Sequence, residues 1–179
     1  MARRTSATTQ ATQSTAQQLV SIVKSARDIM RKDKGLSGDL DRLPMLTWLL
    51  FLKFLDDSER EREDEAAAYG KLYFPAVEAP YRWRDWAAAE DGITGDDLIR
   101  FINNDECTFA DGSRGPGLFA YLRGLTTTRA GDRRDVIATV FRGVTNRMIN
   151  GYLLREIITK VNGISFTSSD EIHTLGHLY

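Results

Sequence analysis

The sequence predicts a mostly α, compact helical domain with long aromatic-rich loops. Three observations predict it. Apolar residues recur on one face at helical spacing, as in Leu19, Ile22, Val23, Ala26, Ile29 and Met30. No convincing apolar–polar alternation of strand type appears. Only 4 prolines interrupt the 179 residues, so long helices are permitted. A chain of this length buries about 70% of the surface it exposes when unfolded, enough to fold without staples.

The first 18 residues read as a disordered polar tail of Thr, Ser, Gln and Ala. Residues 1–27 hold Arg3, Arg4, Lys24 and Arg27 and no acid, a composition shared with organelle transit peptides. A twin-arginine signal does not fit, because no apolar stretch follows Arg3-Arg4. The expected compartment is the cytoplasm. Residues 19–169 make up the helical domain. Its first amphipathic helix stops at Gly35, with Lys32 and Lys34 at the end where the helix dipole favours cations. After a Leu36–Asp41 connection, Pro44 fits the first turn of a second helix, where its missing N–H costs little. Leu43–Leu52 is apolar nearly all round and is expected at the buried centre. The helix continues through Asp56–Glu65, which holds seven acids and two arginines. There Asp56–Arg60 and Glu59–Arg62 have the spacing of surface ion pairs, so a solvated helix end is expected.

Between Gly70 and Gly92, Pro75 and Pro80 break helices, and Tyr73, Phe74, Tyr81, Trp83 and Trp86 gather around Arg82 and Arg84. Two readings compete: a basic–aromatic strip that stacks bases, or a long loop pinned over the core. Asp96–Asn103 reads as a short helix with Leu98, Ile99 and Ile102 inward. Asp111–Gly117 is a plain loop, since no strand precedes it and no Gly-Lys-Ser/Thr ends it. Leu118–Leu125 is another short helix. Val136, Ile137, Val140, Phe141 and Val144 form one helical face. Leu153, Leu154, Ile157, Ile158 and Val161 form another, with Tyr152, Arg155 and Thr159 pointing away. Asp170 caps a last short helix that runs from Glu171 to Tyr179.

Local chemistry is sparse. The apolar run Leu43–Leu55 contains Pro44, Thr47 and Lys53, and falls short of the roughly 20 apolar residues of a membrane span. One cysteine, Cys107, excludes an internal disulfide framework and a Cys-rich zinc site. His173 and His177 share a helix face at i,i+4, but only Asp170 lies near enough to be a third ligand, so no metal site is expected. An autonomous metal-dependent enzyme would have to rest on that pair. No Gly-x-Ser-x-Gly or Gly-x-Gly-x-x-Gly motif occurs, so neither a nucleophile elbow nor a dinucleotide site is indicated. The net charge of −1 conceals a segregation. Arg123–Lys160 holds eight cations against three acids, about +5, while Asp56–Glu65 carries about −5. Arginines suit bidentate phosphate contacts, and Arg133, Arg134, Arg142 and Arg155 are the candidates for DNA contact. The alternative is that the two charged segments neutralise each other within the fold.

The order of elements carries a resemblance. The first amphipathic helix is followed by Trp48-Leu49-Leu50-Phe51-Leu52-Lys53-Phe54-Leu55-Asp56-Asp57, then by the aromatic loop around Trp83, Leu98–Asn103 and Leu118–Leu125. The run through Arg155-Glu156-Ile157-Ile158 precedes Asp170-Glu171-Ile172-His173-Thr174-Leu175-Gly176-His177-Leu178-Tyr179. Over residues 19–179 this resembles the N-terminal helical domain of the modification (M) subunit of type I restriction–modification DNA methyltransferases. The resemblance implies that residues 170–179 form a junction helix leading to a catalytic domain absent from this sequence. That domain would bring a glycine-rich S-adenosylmethionine loop and an Asn-Pro-Pro-Phe/Tyr motif that holds a flipped adenine. Neither is present, so no catalytic or cofactor-binding residue is expected in this chain. The resemblance also implies partners: double-stranded DNA within the complex, a specificity subunit, a second modification subunit, and the restriction subunit as a further candidate. The implied role is subunit assembly and closure around DNA, in a parent that methylates adenine N6. The competing role is a protein-interaction scaffold whose arginines pair with a partner's acids.

Overall fold

Seven helices carry the architecture in a computed structural model that describes residues 15–89, 91–126 and 132–165. Helix α1 spans Thr15–Met30 and buries Leu19, Ala26, Ile29 and Met30. Residues 15–18, expected in the tail, form its first turn. Helix α2 spans Asp39–Ala68, 30 residues or about 45 Å of rod. It starts five residues before Pro44, so Pro44 sits past the first turn rather than within it. Local chemistry explains the early start: Gly38 caps, the Ser37 amide donates to Asp41 at 3.0 Å, and Asp39 and Asp41 complement the positive helix end. The proline leaves only the Leu40 carbonyl without a helical donor, in an exposed opening turn.

The apolar run of α2 is the centre of the core, with Met45, Leu46, Trp48, Leu49, Leu50 and Leu52 all buried. Trp48 meets Phe119 edge-on at 5.1 Å. Short helices follow: α3 (Trp83–Trp86), α4 (Gly95–Asn103) and α5 (Leu118–Arg123). Between α4 and α5 the chain forms a small antiparallel hairpin, β1 (Cys107–Thr108) with β2 (Arg114–Gly115). Two-residue strands are too short to show alternation, and they were not anticipated. The turn between them holds Gly112 at φ 83, with the Ser113 amide donating to Asp111 at 2.9 Å.

Helices α6 (Arg133–Phe141) and α7 (Gly151–Asn162) complete the described domain. On α6 the inward residues are Ile137, Ala138 and Phe141, whereas Val136 and Val140 face out, contrary to the face read from the sequence. Helix α7 buries Leu154, Ile157, Ile158 and Val161 as expected, with Leu153 partly covered, and packs on α1, α2 and α4. The α4–α7 crossing is close at Gly151, where an added Cβ would collide with the Gly95 carbonyl. Asp33, buried just after α1, accepts from the Gly35 amide at 2.7 Å and the Asn150 amide at 2.9 Å. It also accepts from Ile149, fastening the start of α7 to the end of α1. Among the described residues no helix is long and apolar enough to cross a membrane. The expected helix at 170–179, with Asp170, His173 and His177, lies outside the described residues.

Candidate functional site

The aromatic segment after α2 is held down by its own side chains. The Tyr81 ring stacks on Tyr121 at 3.8 Å, and its hydroxyl donates to the Pro116 carbonyl at 2.8 Å. Burial pushes the Tyr81 phenol up to about 12. Trp83 donates to Asn162 on α7 at 2.9 Å, and Trp86 packs against Phe101. Tyr81, Trp83 and Trp86 therefore belong to the core and offer no open faces for bases. Arg82 folds back on Asp85, and Arg84 reaches Asp56 at 2.8 Å and Glu63 at 2.6 Å. The pinned-loop reading fits these three rings. Phe74 alone of the five aromatics is largely exposed.

This arrangement corrects the picture of a solvated acidic helix end. Asp56 and Glu59 are buried and turned towards Arg84 and Arg133, not towards Arg60 and Arg62 on their own helix. Glu59 also accepts the Ala76 amide at 2.9 Å, so α2, the aromatic loop and α6 meet at one carboxylate. One turn earlier on α2, Lys53 pairs with Asp57 at 2.6 Å. Such pairs are costly to break singly, because the remaining charge is left buried.

Burial raises the Asp56 carboxyl above its ordinary range, against the lowering pull of Arg84. A group easier to protonate when folded gives its full contribution to stability below the unfolded pKa, near 4. That contribution is lost as pH rises through the raised folded value. In paired urea melts the stability of wild type relative to Asp56→Asn is expected to increase as pH falls through that window. A difference that does not change with pH would remove this account.

The four candidate arginines fall into distinct settings. Arg133 pairs with Glu59, donates to the Tyr73 hydroxyl at 2.9 Å, and lies over the Tyr73 ring. Arg134 donates to the Pro75 carbonyl at 3.2 Å and lies 3.6 Å from Glu78. Arg155 donates to the carbonyls of Trp86 and Ala89, fixing the chain between α3 and α4. Arg142 is exposed, and its guanidinium has no partner among the described residues. Outside this set, Arg123 donates to the carbonyls of Phe141 and Val144, and Arg147 pairs with Asp41. The structure thus brings Arg133 and Arg134 together on α6 beside residues 73–75 and places Arg155 on α7. Much of the basic segment fastens loops, a use that spacing alone does not signal.

An open groove of about 640 Å³ lies between α4 and the hairpin. Phe101, Phe109 and Cys107 line it, with Asp91, Asp97, Glu106, Arg100 and Arg114 among its polar residues. Burial raises the Cys107 thiol, which works against a reactive thiolate. Among the described residues no group of three His, Cys, Asp or Glu side chains is placed to hold a metal.

The fold and its crosslinks define a class: a mostly α domain whose longest helix is tied to its loops by arginine–carboxylate and arginine–carbonyl bonds. Residues 19–161 match the family model of the HsdM N-terminal domain. The chain belongs to that family and is an N-terminal domain of a type I modification subunit. It is 44% identical over 160 residues to the type I restriction enzyme EcoEI methylase subunit of Escherichia coli, covering 89% of this chain and 29% of that protein. A crystal structure of a modification subunit assigned to a type I restriction enzyme of Vibrio vulnificus YJ016 is 71% identical, with a TM-score of 0.86. That match covers 92% of this chain and 34% of the other. A chain from a structural study of complex assembly and conformational transition in a type I R-M system is 34% identical, with a TM-score of 0.65, over 90% of this chain and 28% of the other. The chain therefore spans about a third of the length of these relatives.

Proposed function

We infer that this domain is a non-catalytic part of a type I restriction–modification adenine-N6 DNA methyltransferase subunit, serving subunit assembly and closure around DNA in the cytoplasm. The observation that carries the reading is the match to a modification subunit over 92% of the chain at a TM-score of 0.86. The second relative's connection with complex assembly supports the assembly role. The partners on this reading are a specificity subunit, a second modification subunit, double-stranded DNA and the restriction subunit. S-adenosylmethionine belongs to the whole enzyme, where it supplies the methyl group. The residues present do not fit it: the groove between α4 and the hairpin is bordered by Asp91, Asp97 and Glu106, with no glycine-rich loop among its lining residues. No step of the transfer is assigned to this domain.

The DNA-facing residues on this reading are Arg142, whose guanidinium has no partner among the described residues, and Arg133, Arg134 and Arg155, which each keep N–H donors beyond those bonded to described residues. Each phosphate contact adds about −0.9 to the slope of log affinity against log salt, so four contribute about −3.6. In the assembled full-length complex the four-alanine variant is expected to lose that much slope. Arg142→Ala alone is expected to lose about 0.9 while leaving the melting temperature unchanged. A four-alanine complex that assembles normally and keeps the wild-type slope would return these arginines to internal bracing. It would also favour the scaffold reading, in which any exposed guanidinium meets a partner's acids.

A further inference from the structure

The end of α2 and the residues after it form a projecting element with an unusual surface. Glu61, Arg62, Asp64, Glu65 and residues 67–72 are all exposed. Within six positions at this tip, Tyr69 is 72% exposed, Leu72 88% and Phe74 76%. The tip is rigidly built. Gly70 takes φ 62 and donates to Ala67 at 3.0 Å, while Lys71 donates to Ala66 at 2.8 Å, the two reverse bonds of a Schellman cap. Lys71 then lies over the Tyr69 ring at 5.8 Å. These bonds fix the backbone that presents Tyr69, which lowers the ordering cost of binding there.

Charge narrows what would cover them. Lys71 beyond the cap lies over the Tyr69 ring, and Arg62 sits one turn back. Helix α2 has no basic residue in its last turn, and Asp64 and Glu65 stand exposed near its negative pole. This opposes the usual preference for cations at a helix C-terminus, and a Lys or Arg supplied from outside relieves it. DNA phosphate would face Asp64 and Glu65 at that pole, and it offers no apolar socket for the three exposed side chains. Covering three such side chains removes about 500 Å² from water. That is over half of one partner's share of a standard protein interface, and the site is convex where small-molecule sites are concave.

We propose that Tyr69, Leu72 and Phe74 form a docking knob for another protein subunit of the complex, inserted into an apolar socket rimmed by Lys or Arg. This rests on the assembly reading above and names the surface that performs it. Tyr69 and Phe74 are the anchors, Leu72 adds apolar area, and Asp64 and Glu65 set orientation and rate through the cationic rim.

The test uses the full-length modification subunit with the co-expressed specificity subunit and second modification subunit of its own system. The variant Y69S/L72S/F74S removes the knob at exposed positions, so the thermal midpoint of the free subunit is expected to hold. Its association is expected to weaken on the order of 100-fold, two steps of tenfold from the anchors. D64K/E65K is expected to weaken association most at low salt. A photo-crosslinker placed at Leu72 is expected to capture a partner peptide containing apolar residues and Lys or Arg. Unchanged association of the serine variant, or crosslinks to DNA alone, would overturn the proposal. Deleting residues 15–165 separates the two levels. If that deletion abolishes assembly while the serine variant does not, only the knob is wrong. If the deletion leaves assembly intact, the assembly reading itself fails.

Discussion

Gly151→Ala is expected to destabilise the domain by about 3 kcal/mol, near the upper end of overpacking costs, and to lower its melting temperature by about 10 °C. Helix propensity argues the other way, since alanine is favoured over glycine in a helix by up to about 1 kcal/mol. Geometry decides the sign. The new Cβ would collide with the carbonyl and Cα of Gly95, all backbone atoms of the opposing helix. A flexible side chain could move aside, but a helix backbone cannot without carrying Leu98 and Leu154 out of register in the core. Gly143→Ala is the control, because an added Cβ there meets nothing within 4 Å. Thermal melts in which Gly151→Ala is no more destabilising than Gly143→Ala would show that close packing does not govern Gly151.

Asp33→Ala is the second large effect, at about 3–4 kcal/mol. Its carboxylate is buried and accepts from the amides of Gly35, Ile149 and Asn150. Hydrogen bonds to a charged acceptor contribute about 1.5–3 kcal/mol, and abandoned buried donors add their own desolvation penalty. Asp33→Asn keeps one acceptor oxygen but turns an NH2 group towards donors, so an intermediate loss is expected. In urea the midpoint should fall while the slope of stability against denaturant stays fixed. A substantial change in slope would mean that the substitution alters the unfolded state or uncouples part of the fold instead.

These two sites show what was legible in the sequence and what was not. The buried middle of α2 was legible because ten nearly continuous apolar residues leave a helix no polar face. The inner face of α7 was legible because Leu154, Ile157, Ile158 and Val161 repeat at helical period. The acidic half of α2 was misread because the i,i+4 rule considers only partners on the same helix. The actual partners, Arg84 and Arg133, lie 28 and 74 residues away from Asp56 and Glu59. On α6 the large residues Val136 and Val140 outweighed Ala138 in the pattern, yet the small residue faces the crowded core. The order of segments was enough to suggest the family, whereas no local rule could reveal which arginines would brace loops. Asp33 gave no signal at all, since its meaning depends on amides from the other end of the domain.

That separation has a consequence for how the chain is made. Ile149 and Asn150 follow Asp33 by 116 and 117 residues. At translation speeds of about 5–20 residues per second, the gap lasts roughly 6–23 s. Once Leu52 is made, the nascent chain holds α1 and the apolar length of α2 but not the segment that closes over them. The Asp33 carboxylate lacks the Ile149 and Asn150 amides, and α2 lacks α7, one of the helices packed against it. Closure of this domain is therefore timed by synthesis of its last described helix.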